Sequence, residues 1–100
     1  MKHDFLPEAE AEYLRAIAFY EEKHAGLGLA LIEEFERIVS LAAERPDAWK
    51  AVHASGIRRI GLKRFPFAVF LQSAAASLIV ITAFAHHRQR PGYWLGRSGV

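Results

Sequence analysis

Apolar residues recur along this 100-residue chain with two different periods, and the change of period divides it in two. From Pro7 to about Lys23, Ala9, Tyr13, Ala16, Ile17 and Tyr20 return every three or four positions, with Glu12, Arg15, Glu22 and Lys23 elsewhere, which predicts an amphipathic helix. Pro7 suits its first position, where the missing amide donor has no helical partner to lose. Glu8, Glu10 and Glu12 follow at the positive end of the helix dipole. The two glycines of Ala25-Gly26-Leu27-Gly28 break the pattern, and a second helical period begins at once. Leu31, Phe35, Ile38 and Ala42, supported by Ile32 and Val39, line one face of it. Glu33, Glu34, Glu36 and Arg37 lie on the other, read as solvated. Glu44-Arg45-Pro46-Asp47 ends the helix, because a residue before proline is pushed out of the helical region. Together the two segments predict a helical hairpin.

On either side of the hairpin the pattern is strand-like. Met1 to Leu6 suits a short first strand that Pro7 terminates. After Ala48, three further strands are predicted. Ile57 to Phe65 alternates in part, with Ile60 and Leu62 on one face and Arg59, Gly61 and Lys63 on the other. Phe67 to Leu71 and Leu78 to Ala85 are apolar on both faces, as central strands are, and Ser73 to Ser77 reads as a turn of small residues between them. Short connections favour an antiparallel meander. The expected order is β-α-α-β-β-β, an α+β domain occupying residues 1–100, with a helical hairpin on one face of a small sheet and a tail from His86.

Charge changes this picture most. All eleven acidic residues lie at or before Asp47, so the first 47 residues carry five Lys and Arg against eleven acids, a net of −6. The remainder carries eight cations and no carboxylate, an imbalance that points to an anionic partner, nucleic acid or acidic protein. The absence of cysteine excludes a disulfide scaffold, a thiol nucleophile and a thiolate metal site. No N-terminal leader pattern is present, and the apolar run Leu78 to Ala85 is far too short to span a bilayer, so a cytoplasmic protein without a membrane partner is expected.

Candidate chemistry concentrates in the basic half. Cations and aromatics interleave in His86-His87-Arg88-Gln89-Arg90-Pro91-Gly92-Tyr93-Trp94, a mixture suited to phosphate pairing and base stacking. The competing reading is that Tyr93 and Trp94 pack on the core and anchor the tail. Arg58, Arg59, Lys63 and Arg64 form a second group. Strand alternation puts Arg59 and Lys63 on one face and Arg58 and Arg64 on that of Ile60 and Leu62. In metal-free phosphodiester cleavage such cations would stabilise charge developing in the transition state while a Tyr or His moves protons. His86, at a strand end, is the candidate acid or base. His3, His24, His53, His86 and His87 show no metal-ligand spacing, so no metal or other cofactor is expected. Gly26-Leu27-Gly28 lacks the context of a phosphate loop. Glu21-Glu22, like the acids of the second helix, is read as a solvated face without a catalytic role.

Phe5-Leu6-Pro7-Glu8-Ala9-Glu10, Tyr20-Glu21, Gly26-Leu27-Gly28, Phe35, Pro46, Trp49, Gly56-Ile57-Arg58-Arg59, Arg64-Phe65-Pro66-Phe67 and Ala85 through Trp94, taken in this order, resemble the RelE/ParE superfamily of toxins of bacterial type II toxin–antitoxin systems. The resemblance implies the microRNase-like β-α-α-β-β-β fold and a cognate antitoxin, acidic and partly disordered when free, forming a hetero-oligomer with this chain. ParE-like members inhibit DNA gyrase; RelE-like members cut mRNA in the ribosome. The long hairpin and Arg64-Phe65-Pro66-Phe67 look more like the ParE side, and the Lys-rich loop typical of the ribonuclease group is missing. Under the ribonuclease alternative, Arg58, Arg64, Arg88 and Tyr93 would be the catalytic set. Arg59, Lys63, His86, Arg90 and Trp94 would bind target or antitoxin. A third alternative is a non-toxic binding module with a degenerate site.

Overall fold

The computed structural model describes residues 2–75 and 78–97. Its elements are β1 (Lys2–Phe5), α1 (Pro7–Lys23), α2 (Leu27–Glu44), β2 (Arg58–Gly61), β3 (Phe67–Ala75) and β4 (Leu78–His86), in the expected order. The sheet runs β1-β4-β3-β2. β2, β3 and β4 form the antiparallel meander, while β1 lies parallel to β4 at the far edge, with Lys2 opposite Leu78 and Phe5 opposite Ile81. The Phe5 N–H faces away from β4 and donates instead to the Asp4 carboxylate at 3.0 Å.

Both helices cover one face of the sheet. Leu31, Phe35 and Ile38 of α2 and Ala9, Tyr13 and Ala16 of α1 pack on Val69, Leu71, Ile79, Ile81 and Phe84. The Tyr13 and Phe35 ring centroids are 4.4 Å apart, and Phe67 stacks on Phe84 at 4.7 Å. A side chain as fully enclosed as Phe35 contributes about 1.5–3 kcal/mol by leaving water. Pro7 occupies the start of α1, and Gly26 turns the chain into α2 with φ of 95°. No acid lies in the first turn of α2; Glu21 of α1 supplies one from outside, its carboxylate accepting from the Gly26 and Gly28 amides at 3.0–3.1 Å. Glu21 is thus exposed as expected, yet it caps the second helix.

Three expectations are corrected. Glu34 is buried rather than solvated, 6% exposed, because its carboxylate accepts from the backbone N–H groups of Lys63 (2.6 Å) and Arg64 (3.3 Å). The same contact ends β2 at Gly61 instead of Phe65: Lys63 and Arg64 turn their amides toward α2, and Pro66 has none to offer the ladder. The proposed turn from Ser73 is, as far as Ala75, part of β3, with Ser73 opposite Ile79 and Ala75 opposite Leu78; Ala76 and Ser77 lie outside the described residues, as does Met1 of the expected first strand.

β4 is apolar on both faces for a specific reason. Phe70 opposes Ala83 and Leu71 opposes Ile81, so Thr82 is an extra residue, a bulge that exchanges inward and outward positions. Ile79 and Ile81 before it, and Phe84 after it, face the helices. Ala83 faces the other way and joins Ile57, Phe70, Tyr93 and Trp94 in a second, smaller apolar cluster.

Candidate functional site

The tail does not trail into solvent. Residues 87–97 form a strap of successive turns that folds back over the sheet face opposite the helices. Trp94, 5% exposed, is pressed onto Phe70 at a centroid distance of 5.1 Å, with Ile57 and Ala83 beside it. This is the anchoring role weighed for Trp94 in the sequence, and it leaves a groove of about 430 Å³ between strap and sheet. Ala68, Phe70 and Ala85 of the sheet form its floor, and it is lined further by His86, His87, Arg90, Tyr93 and Trp94 from the end of β4 and the strap and by Arg59 and His53 from β2 and the loop before it. Among the described residues no carboxylate lines it. Alternation in β2 explains Arg59: it shares the face of Ile57, while Ile60 points to the helices.

Of the nine residues singled out in the sequence, Arg59, His86, Arg90, Tyr93 and Trp94 thus meet in one groove. Arg58 lies elsewhere, half-buried on the helix side of β2, where its guanidinium donates to the Trp49 carbonyl and approaches the fully exposed Asp47 carboxylate at 3.7 Å. Lys63 and Arg64 project from the β2–β3 loop into solvent, Arg64 partly over the Phe65 ring. The Arg88 side chain is exposed, and its amide donates to His86 Nδ1 at 3.0 Å. Because Nδ1 accepts that bond, a neutral His86 ring carries its proton on Nε2. The ring also stands edge-on to Phe67 at 5.1 Å and, with Gln89, separates the basic groove from a second one of about 610 Å³ along α1, lined by Phe19, Tyr20, Phe67 and Phe84.

One residue at the centre of this architecture escaped the sequence reading. Glu12 looked like part of the polar face of α1, but its carboxylate accepts from Tyr93 Oη (2.8 Å), from Arg97 Nη2 (2.8 Å) and Nη1 (3.1 Å), and from the Phe84 amide (3.1 Å). Arg97 Nη1 also donates to the Thr82 carbonyl at 2.9 Å, and the guanidinium lies over the Tyr93 ring at 4.9 Å. β1 ends at Phe5, so β4 has no strand neighbour on that side beyond Ile81; the Glu12–Arg97 pair occupies the place of one. Burial disfavours the Glu12 charge, but the bonds from Arg97, Tyr93 and Phe84 outweigh it and hold the carboxyl below its ordinary range. The bond to Glu12 raises Arg97 in turn. Burial, and then Glu12, push the Tyr93 hydroxyl well above its ordinary range, so it stays protonated. The signal in the sequence was the charge itself: a Glu placed between the stripe residues Ala9 and Tyr13.

The arrangement can grip an extended anionic segment, since two guanidiniums and three imidazoles flank an apolar floor. Among the described residues no cluster of three or more His, Asp or Glu could hold a metal ion, and no helix is long and apolar enough to cross a membrane. No family model and no curated protein matches the chain. A solved structure of the chromosomal ParDE TA system from P. aeruginosa superposes on it with a TM-score of 0.67 at 17% sequence identity, over 86% of this chain and 95% of that one. At that identity the likeness is one of fold: this chain has the β-α-α-β-β-β architecture of a chain from a ParDE system.

Proposed function

We propose that this chain is the toxin of a type II toxin–antitoxin pair, neutralised when an acidic antitoxin segment orders itself in the basic groove. The observation that carries the reading is the extent of the fold likeness, which takes in nearly the whole ParDE-system chain, hairpin and sheet together. The ordered residue pattern from Phe5 to Trp94 supports it independently. ParE-like inhibition of DNA gyrase is preferred to mRNA cleavage. A nuclease needs its cations and proton carrier around one phosphate. Here the Tyr93 hydroxyl is committed to Glu12 while Arg58 is committed to Trp49, on the other face of the sheet. The toxin would act in the cytoplasm, where its target and antitoxin reside.

Expression of the chain alone should arrest growth, and co-expression of the adjacent small gene's product should relieve the arrest. The purified protein should inhibit supercoiling and cause cleaved DNA to accumulate. Normal growth at confirmed expression, with tight antitoxin binding retained, would sink the toxin reading and leave a non-toxic binding module. Cuts in translated mRNA that disappear in Arg88→Ala or Tyr93→Phe would instead make it a ribosome-dependent nuclease.

A further inference from the structure

The strap is bound to the rest of the domain at its root and at its far end. His87 N–H donates to the Pro66 carbonyl at 2.9 Å. At its root the Arg88 and Gln89 amides donate to His86 Nδ1 and the His86 carbonyl, both at 3.0 Å, and farther on the backbone bonds of the strap, Tyr93 to Arg90, Leu95 to Gly92 and Arg97 to Trp94, are all internal turns. The principal core draws every one of its buried residues from positions 9 to 84 and none from the strap. Past that root, residues 87–97 are held in place by Trp94 in the small cluster, by the bonds of Tyr93 and Arg97 to Glu12, and by the bond from Arg97, itself oriented by Glu12, to the Thr82 carbonyl. A segment secured this way is a candidate for opening as a unit, well below the free energy of global unfolding.

We propose that Glu12 is a clasp: its ionised carboxylate closes the strap over the sheet, and loss of that charge releases residues 87–97 together, dismantling the basic groove while hairpin and sheet stay folded. A protonated or amidated side chain has no charge and no longer offers two equivalent accepting oxygens, so it cannot hold the Arg97 fork bidentately, and Arg97 carries the last described turn of the strap. The sheet would lose only the filler of one strand edge. The depressed Glu12 titration fixes the direction, since a carboxyl lower in the closed state stabilises closure above its unfolded value and ceases to do so as pH falls through the closed-state value. Charged and titratable groups facing it are Arg97 and Tyr93 from the strap, Glu8 and Arg15 from α1, and His86 from β4. The inference does not depend on the chain being a toxin.

The test uses the full chain in a Trp49→Phe background, which leaves Trp94 as the sole tryptophan. Acrylamide quenching then reads strap opening, and far-UV circular dichroism reads the core. On acidification, Trp94 should become several-fold more quenchable before helical signal is lost. In Glu12→Gln it should be open already at neutral pH and the acid step absent, with amide exchange of Leu95 and Arg97 faster on the order of tenfold or more while β3 exchanges as before. Arg97→Met approaches the clasp from the strap side and should reproduce the opening. His86→Gln should keep the acid step. The proposal is overturned if Trp94 stays shielded in Glu12→Gln, if the acid step survives there or vanishes in His86→Gln, or if strap and core open in one transition. Failure of both Glu12→Gln and Arg97→Met to fold overturns it too, by making the strap part of the core.

Discussion

Single side chains in this protein do work that their neighbours in sequence do not reveal. Glu34 is the clearest case: it sits between solvated acids of α2, yet it is buried to receive two amides from 29 and 30 residues away. Glu34→Ala leaves both donors without a partner and should cost about 2 kcal/mol in urea unfolding, with Glu34→Gln losing less because an amide oxygen still accepts. Tyr13 works in the opposite direction of pH. Burial, helped by the charge of Glu36, pushes its hydroxyl up to about 12. Its neutral form therefore favours the fold fully below about pH 10, and that contribution fades as pH climbs toward the folded value. Stability measured between pH 9 and 11.5 should fall less steeply in Tyr13→Phe than in the parent. Local pattern located the core positions Tyr13, Leu31, Phe35 and Ile38, because burial of a helix face leaves a 3.6-residue trace. It misread Glu12 and Glu34, whose partners are set by the tertiary fold and leave no periodic trace.

At the level of elements, helix ends were legible to within a residue or two because proline and glycine act locally on the backbone, whereas strand ends were decided at a distance. β2 stops where Glu34 reaches it, and the bulge at Thr82 is invisible in a run that is apolar on both sides. The hairpin itself invites a quantitative test. A Cβ on Gly28 would lie 2.9 Å from Glu21 Oε1 and 3.3 Å from Ile17 Cγ2, so Gly28→Ala must displace the carboxylate that caps α2. Gly28→Ala and Glu21→Ala should each lower the thermal midpoint. Their combination should fall short of the sum by about 1 kcal/mol, since the second change removes a cap already lost. Gly26→Ala, with open space around it but φ of 95°, should cost about 1 kcal/mol through backbone strain alone.

Over the whole molecule, the charge division seen in the chain becomes largely a division of surfaces: most acids, Glu12 and Glu34 apart, are exposed on or near the hairpin, and most cations of the second half stand around the groove and the β2–β3 loop. That much was readable from the order of residues. The strap's return over the sheet was not, since nothing local distinguishes a tail that anchors through Trp94 and Arg97 from one that hangs free. If the groove receives an acidic antitoxin, Arg59→Glu with Arg90→Glu should weaken association by about tenfold or more at 0.1 M salt, and the deficit should shrink at 0.5 M as screening shortens the reach of the charges. Titration calorimetry at the two salt concentrations reads both effects. The outer border of the sheet has a further consequence. Because Asp4 occupies the Phe5 amide with its own side chain, β1 offers a poorer template to a passing strand than its exposed position suggests. Solubility at high concentration thus rests in part on one carboxylate, and Asp4→Ala should reveal it as concentration-dependent growth in light scattering with the monomer's circular dichroism unchanged.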